Sequence, residues 1–276
     1  LQLLMGDFLS MVAVRAFAGF AVGIFTFPLL AYVSGFSRYR ERVGWFSGFG
    51  SLGWFAGYFL AGVLSSHQLD LAVAGGLFFL GMVVSIGLRE VKERRIKIRP
   101  FWRVARKNLA VYSAYFSRHV GAYSLWIIFP LFLRDELGAS IFWVGAIHAL
   151  NTGSQFLFMG AIGRTAKRGE GKKLLRTGLG LSALVFFSYH FATNYTQLLP
   201  VQLILGLAWS SLYVGSLLHL LERNVERATS TGLLGSTISL AAVVGPLLAG
   251  VVSQIFGMRT VPLLACGLTV VGLGVS

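Results

Sequence analysis

The chain is poor in charge, in acid and in cysteine. Only 12% of its 276 residues are charged, against roughly 25% in an average soluble domain. An ordinary soluble enzyme and a disordered tail are therefore both excluded. The single cysteine, Cys266, lies in an apolar run and excludes an internal disulfide framework. The ten acids, from Asp7 to Glu226, all fall in loops or at the ends of apolar segments. There is no His-Glu-x-x-His, Gly-x-Ser-x-Gly or phosphate-loop pattern. The five His and one Cys have no metal-ligand spacing. No enzyme, cofactor or metal is expected. Gly48-x-Gly50-x-x-Gly53 matches a dinucleotide fingerprint, but it has no preceding strand and lies inside an apolar run.

What the chain has is long apolar stretches: 55% of residues are hydrophobic and the mean hydropathy is +0.73. A membrane-crossing helix needs roughly 20 apolar residues. Nine segments qualify: 9–34, 43–65, 69–88, 108–133, 141–163, 174–192, 197–221, 228–253 and 260–276. The ~10-residue alternation of an outer-membrane barrel is absent from them. The net charge of +14 is a matter of topology, not of nucleic-acid binding, because 20 of the 24 Lys and Arg sit in alternate loops. Those loops are the cytoplasmic ones by the positive-inside rule, and they face anionic lipid heads. The chain reads as an all-α, polytopic helical bundle in the plasma or inner membrane.

An internal repeat organises it. Shifted by 188 residues, Gly44–Ser65 overlies Gly232–Ser253 with nine of 22 positions identical and no gap. Both copies run from a cytoplasmic loop outward, so the repeat is parallel, a transporter device. It predicts two six-helix halves. Residues 1–88 would be the C-terminal part of the first bundle, 89–107 a basic cytoplasmic linker, and 108–276 the second bundle. By the same shift, three helices are expected to precede Leu1.

Gly44-x8-Gly53-x3-Gly57-Tyr58-x2-Ala61-Gly62 resembles the fifth-helix glycine motif of the major facilitator superfamily, with Tyr58 in place of Pro and Ala61 in place of Gly. The second copy has the Pro, as Gly245-Pro246, followed by Gly250. Arg15-x3-Gly19 is similar to the fourth-helix pattern, with Ala18 where that pattern has Gln. The loop Gly160–Lys173 resembles the basic loop after the eighth helix, with Arg164 where an Asp is usual. The resemblance implies a secondary transporter working by alternating access. The glycine motif implies its efflux, antiporter branch, with H+ as coupling ion and a small-molecule substrate. A monomer is expected. For Arg15 it implies a role in proton coupling; snorkelling at the interface is the other reading. Glycines at four-residue spacing also let helices approach closely in lipid, whatever the family.

Charge inside a membrane span is costly and normally faces a cavity or a partner. Arg118 lies ten residues into its segment, about 15 Å deep. Tyr115, His119 and Tyr123 share much of one helix face with it. Arg118 reads as lining a cavity for an anionic or aromatic ligand, as half of an ion pair with an acid elsewhere, or as a snorkelling cation. His148, Asn151, Thr152 and Gln155 form one polar stripe, which suits either a cavity wall or glue between helices. Tyr115, Arg118, His119, Tyr123, Asn151 and Gln155 are the substrate-cavity candidates. Gly44, Gly53, Gly57, Gly62, Gly245, Pro246 and Gly250 are the packing or hinge candidates. Two rivals to export stand open: uptake of an organic anion, and a non-transporting integral membrane protein.

Overall fold

The structure is a computed structural model, and it describes residues 7–64, 67–87 and 100–276. Ser65 of the repeat, Leu88 and residues 89–99 of the linker lie outside the described residues. Each of the nine apolar segments is helical over nearly all of its described length: α1 (Phe8–Ser34), α2 (Tyr39–Leu64), α3 (His67–Ile86), then α5 (Leu109–Leu131), α6 (Ile141–Thr165), α7 (Gly171–His190), α8 (Leu198–Arg223), α9 (Arg227–Phe256) and α10 (Val261–Val275). The short α4 (Phe101–Lys107) precedes α5. No strand occurs among the described residues.

Local chemistry sets the ends. Asp7 caps α1: its carboxylate accepts from the Ser10 backbone N–H at 2.7 Å, which holds the Asp7 carboxyl below its usual range. Arg38 takes a left-handed backbone (φ 54°) just before α2 begins. The C-terminal end of α5 unwinds into a π-helical turn, Phe132–Glu136, two residues after Pro130. Removing the Pro N–H frees a carbonyl in that turn of helix.

Four helical stretches are long and apolar enough to cross a membrane on those grounds alone: Gln68–Ile86, Tyr195–Arg223, Arg227–Phe256 and Met258–Val275. Helices α5 and α6 fall short because they carry the polar faces noted above. Those faces are turned inward. Arg118, His119, Asn151 and Gln155 are all buried, while large apolar side chains such as Phe78, Leu157 and Leu247 point outward. A polar interior under an apolar surface is the reverse of a soluble fold and is what a bilayer solvent demands.

Helix α5 lies at the centre of its bundle, against α9 on one side and α10 on the other. Helices α7 and α8 pair closely, and α8 also packs on α6. The first helices join this group along two lines: α2 lies lengthwise on α6, and α1 rests on α9. The stretch expected to be the linker has local structure at its end. Its last residues are a helix, α4, because Val104 is buried and the following Asn108 pins the turn. The Asn108 side-chain amide donates to the Val104 carbonyl at 2.8 Å and to Asn224 at 3.1 Å, and Lys107 donates to the Arg223 carbonyl. The start of α5 is thus tied to the end of α8.

Candidate functional site

Two groups of residues carry the site: an aromatic and polar wall on α5 and α8, and a seam where α2 meets α6. On the wall, Tyr115 and His119 are one helical turn apart and their rings stack at 4.2 Å. The His119 Nδ1 lies 2.7 Å from the Tyr115 carbonyl oxygen. That nitrogen therefore donates to the carbonyl, and Nε2 has no hydrogen-bond partner. Trp209 of α8 meets the His119 ring edge-on at 5.1 Å, and Tyr213 stacks on Trp209 at 5.3 Å. Tyr123 continues the row, 6.3 Å from His119. Its Cβ lies 2.7 Å from where a Gly245 side chain would begin, so α9 approaches α5 through that glycine.

Arg118 lies between this row and α7. Its Nε and Nη2 donate to Ser182 Oγ at 3.4 and 3.3 Å. The guanidinium sits over the rings of Phe186 and Trp209, at 5.3 and 5.2 Å. It is 3% exposed, and no carboxylate pairs with it among the described residues. Snorkelling, one of its three readings, does not fit a guanidinium so enclosed.

On the seam, Ser51 of α2 donates to Gln155 Oε1 at 3.0 Å, and Gln155 Nε2 donates to Asn151 Oδ1 at 2.7 Å. The stripe on α6 is therefore divided. Gln155 and His148 reach α2, while Thr152 turns back to its own helix backbone. His148 stacks on Tyr58 at 4.8 Å and meets Phe129 edge-on at 5.3 Å. Tyr58, the departure from the glycine motif, is thus the α2 residue that packs on His148. A Cβ at Gly44 would lie 2.6 Å from the Met159 carbonyl oxygen and 2.7 Å from Gly163 Cα, so the backbones of α2 and α6 are in contact there. Gly53, Gly57 and Gly250 have open space within 4 Å of a built Cβ. Pro246 lies inside α9 next to the Gly245 contact, and Gly62 lies near the end of α2, its surroundings outside the described residues.

Arg15 is apart from both groups. With Gly19, Gly23, Gly235 and Ser239 it lines a groove of about 410 Å³ between α1 and α9.

A second set of contacts closes the basic end. Glu222, on the last turn of α8, accepts from the Tyr39 hydroxyl at 3.1 Å and from the Gly169 backbone N–H at 2.9 Å, and pairs with Arg40 at 3.8 Å. Burial, followed by the Glu222 charge, pushes the Tyr39 hydroxyl up from its ordinary value, so it stays protonated as the donor. Arg164 donates to Glu41 at 3.0 Å. Arg227 donates to the Ser34 carbonyl at 2.6 Å.

Residues 111–275 match the family model of the Major Facilitator Superfamily, more than half of the chain. The chain belongs to the major facilitator superfamily. No curated protein matches it. Membership makes it a multi-pass membrane protein and a secondary transporter, one that binds a small-molecule substrate, and displaces the reading as a non-transporting membrane protein. The matched region contains the whole aromatic wall and the α6 side of the seam. Helices α1 and α2, with Arg15, Ser51 and Tyr58, lie outside it. Ser182 and Glu222 were not singled out in the sequence. Ser182 is one serine in an apolar helix, and Glu222 sits in a basic loop that looks solvated.

Proposed function

We propose that this transporter exports a small solute in exchange for protons, rocking residues 1–88 against residues 108–276. The substrate would bind near the midplane, against Tyr115, His119 and Tyr123 of α5 with Trp209 and Tyr213 of α8. Arg118 stands behind this wall. Asn151 and Gln155, with Ser51, act as the clasp of the seam more than as its lining. Arg15 in its α1–α9 groove is the coupling candidate. The observation that carries the reading is Gly44. The glycine that opens the antiporter-like motif is also the one whose backbone meets Gly163 on the other half. A close, smooth contact of this kind lets two rigid bundles tilt about one line.

The basic end, which we place in the cytoplasm, is held shut by Glu222, Glu41 and Arg227. That end must open before substrate enters from the cytoplasm. A second reading, uptake of an organic anion, is favoured by the buried, acid-free Arg118.

The test uses the full-length protein in everted membrane vesicles, with labelled tetraphenylphosphonium, glucose and benzoate as probes. An imposed gradient, acid inside, should drive accumulation of one probe, and a protonophore should abolish it. Accumulation that ignores the proton gradient overturns the coupling. Accumulation of benzoate only in right-side-out vesicles overturns export and supports uptake.

A further inference from the structure

Arginine does not shed its proton in a protein, so Arg118 brings a full positive charge into the bundle. An uncompensated charge at such a site costs several kcal/mol. The helices that enclose it offer no compensation. Between their ends, α5, α7 and α8 contain no Asp or Glu, and the nearest acid in sequence along α8 is Glu222, two residues from its cytoplasmic end. The side chain is 3% exposed and faces Ser182, Phe186 and Trp209, all on α7 and α8.

The surroundings offer hydroxyl groups and, among the described residues, no carboxylate. Ser182 Oγ accepts from both guanidinium nitrogens, which leaves its own O–H to donate. The hydroxyl of Tyr115 is buried and has no hydrogen-bond partner, and it lies within electrostatic reach of Arg118. The Tyr189 hydroxyl is likewise buried and in reach of Arg118, with the Gln202 side chain as its polar neighbour. Buried polar groups are normally satisfied, so the unpaired Tyr115 hydroxyl beside a cation that no acid balances is an observation in need of a cause. A fixed positive charge, O–H donors and aromatic walls suit one kind of guest: a small monovalent anion.

We propose that the enclosure around Arg118 binds such an anion, chloride-sized or the carboxylate of a small organic acid, held by α5, α7 and α8 within one half of the transporter. The guanidinium supplies the charge. Ser182 holds the guanidinium in place and donates its own hydroxyl, with Tyr115 or Tyr189 completing the shell. The site stands on these three helices and does not depend on the direction of transport or on proton coupling.

The test is a thermal-unfolding titration of the purified full-length protein at constant ionic strength, replacing sodium gluconate by sodium chloride or by sodium acetate. Wild type should show a saturable rise in Tm, about 5–10 °C at one hundred times the half-saturating concentration, since only the folded state binds the ion. Arg118→Gln should show none. If Arg118→Gln does not fold, Ser182→Ala keeps the test open: its half-saturating concentration should rise about tenfold, the effect of losing one charge-assisted hydrogen bond. A response to chloride assigns a resident inorganic ion. A response to acetate without chloride assigns the carboxylate of an organic ligand. A flat response to both, or one that survives unchanged in Arg118→Gln or Ser182→Ala, overturns the site. Loss of proton-driven export with the anion response intact would defeat the transport reading alone.

Discussion

Gly44 and Gly53 lie on the same helix and belong to the same motif, yet they differ in what a side chain would meet. A Cβ at Gly44 would press on the Met159 carbonyl and on Gly163 Cα, both backbone, so neither can swing aside. Gly44→Val must push α2 off α6. Overpacking of this kind costs about 1–3 kcal/mol. Gly53→Ala adds a methyl into open space. We expect thermal unfolding in detergent to show a fall of several degrees for Gly44→Val and no fall for Gly53→Ala. An unchanged Tm in Gly44→Val would remove the close seam. The sequence showed that Gly53 and Gly57 share a face, because four-residue spacing does that. It could not show which of them has a neighbour, because spacing along one helix carries no information about the second. The same limit hid Ser182. The depth of Arg118 followed from counting residues, but its partner is a lone serine on an apolar helix.

At the scale of elements, the contact of α2 with α6 has two kinds of polar tie, and magnitude separates them. The Arg164–Glu41 pair is open to solvent, with side-chain exposures of 62% and 30%. Exposed pairs contribute about 0–1 kcal/mol. The Ser51–Gln155–Asn151 chain is buried, and breaking it strands two polar groups at about 1–3 kcal/mol each. Gln155→Leu should therefore lower Tm clearly more than Arg164→Ala. The reverse order would mean that the clasp contributes little and the basic end holds the helices together. The helices themselves were legible because apolar runs of twenty residues leave little choice of structure. Helix α4 was not, since seven residues give too few turns to reveal a period. Whether the α6 stripe faced a cavity or a helix was also beyond the sequence, because both fates demand the same polar residues.

For the whole molecule, alternating access requires that the contacts at the basic end break together. Glu222 gathers α2, the α6–α7 loop and α8 at one carboxylate. Glu222→Ala releases all three at once and should favour the state open at that end. A cysteine at Ile162, which packs near Met159, Val214 and Leu218, reports this opening. Its reaction with a membrane-impermeant thiol reagent should quicken several-fold in Glu222→Ala. An unchanged rate would mean that these contacts do not govern the opening. The direction in which that end faces rests on its charge. Twenty of 24 cations lie in loops of one side, and the proposal that this side is cytoplasmic rests on the positive-inside rule. Arg168 and Thr196 are exposed residues in loops at opposite ends of α7. In a Cys266→Ala background, Thr196→Cys should react with the impermeant reagent in intact cells, and Arg168→Cys only in everted vesicles. Labelling of Arg168→Cys from outside would invert the whole molecule. Export would then become uptake with every contact between the helices left as it is.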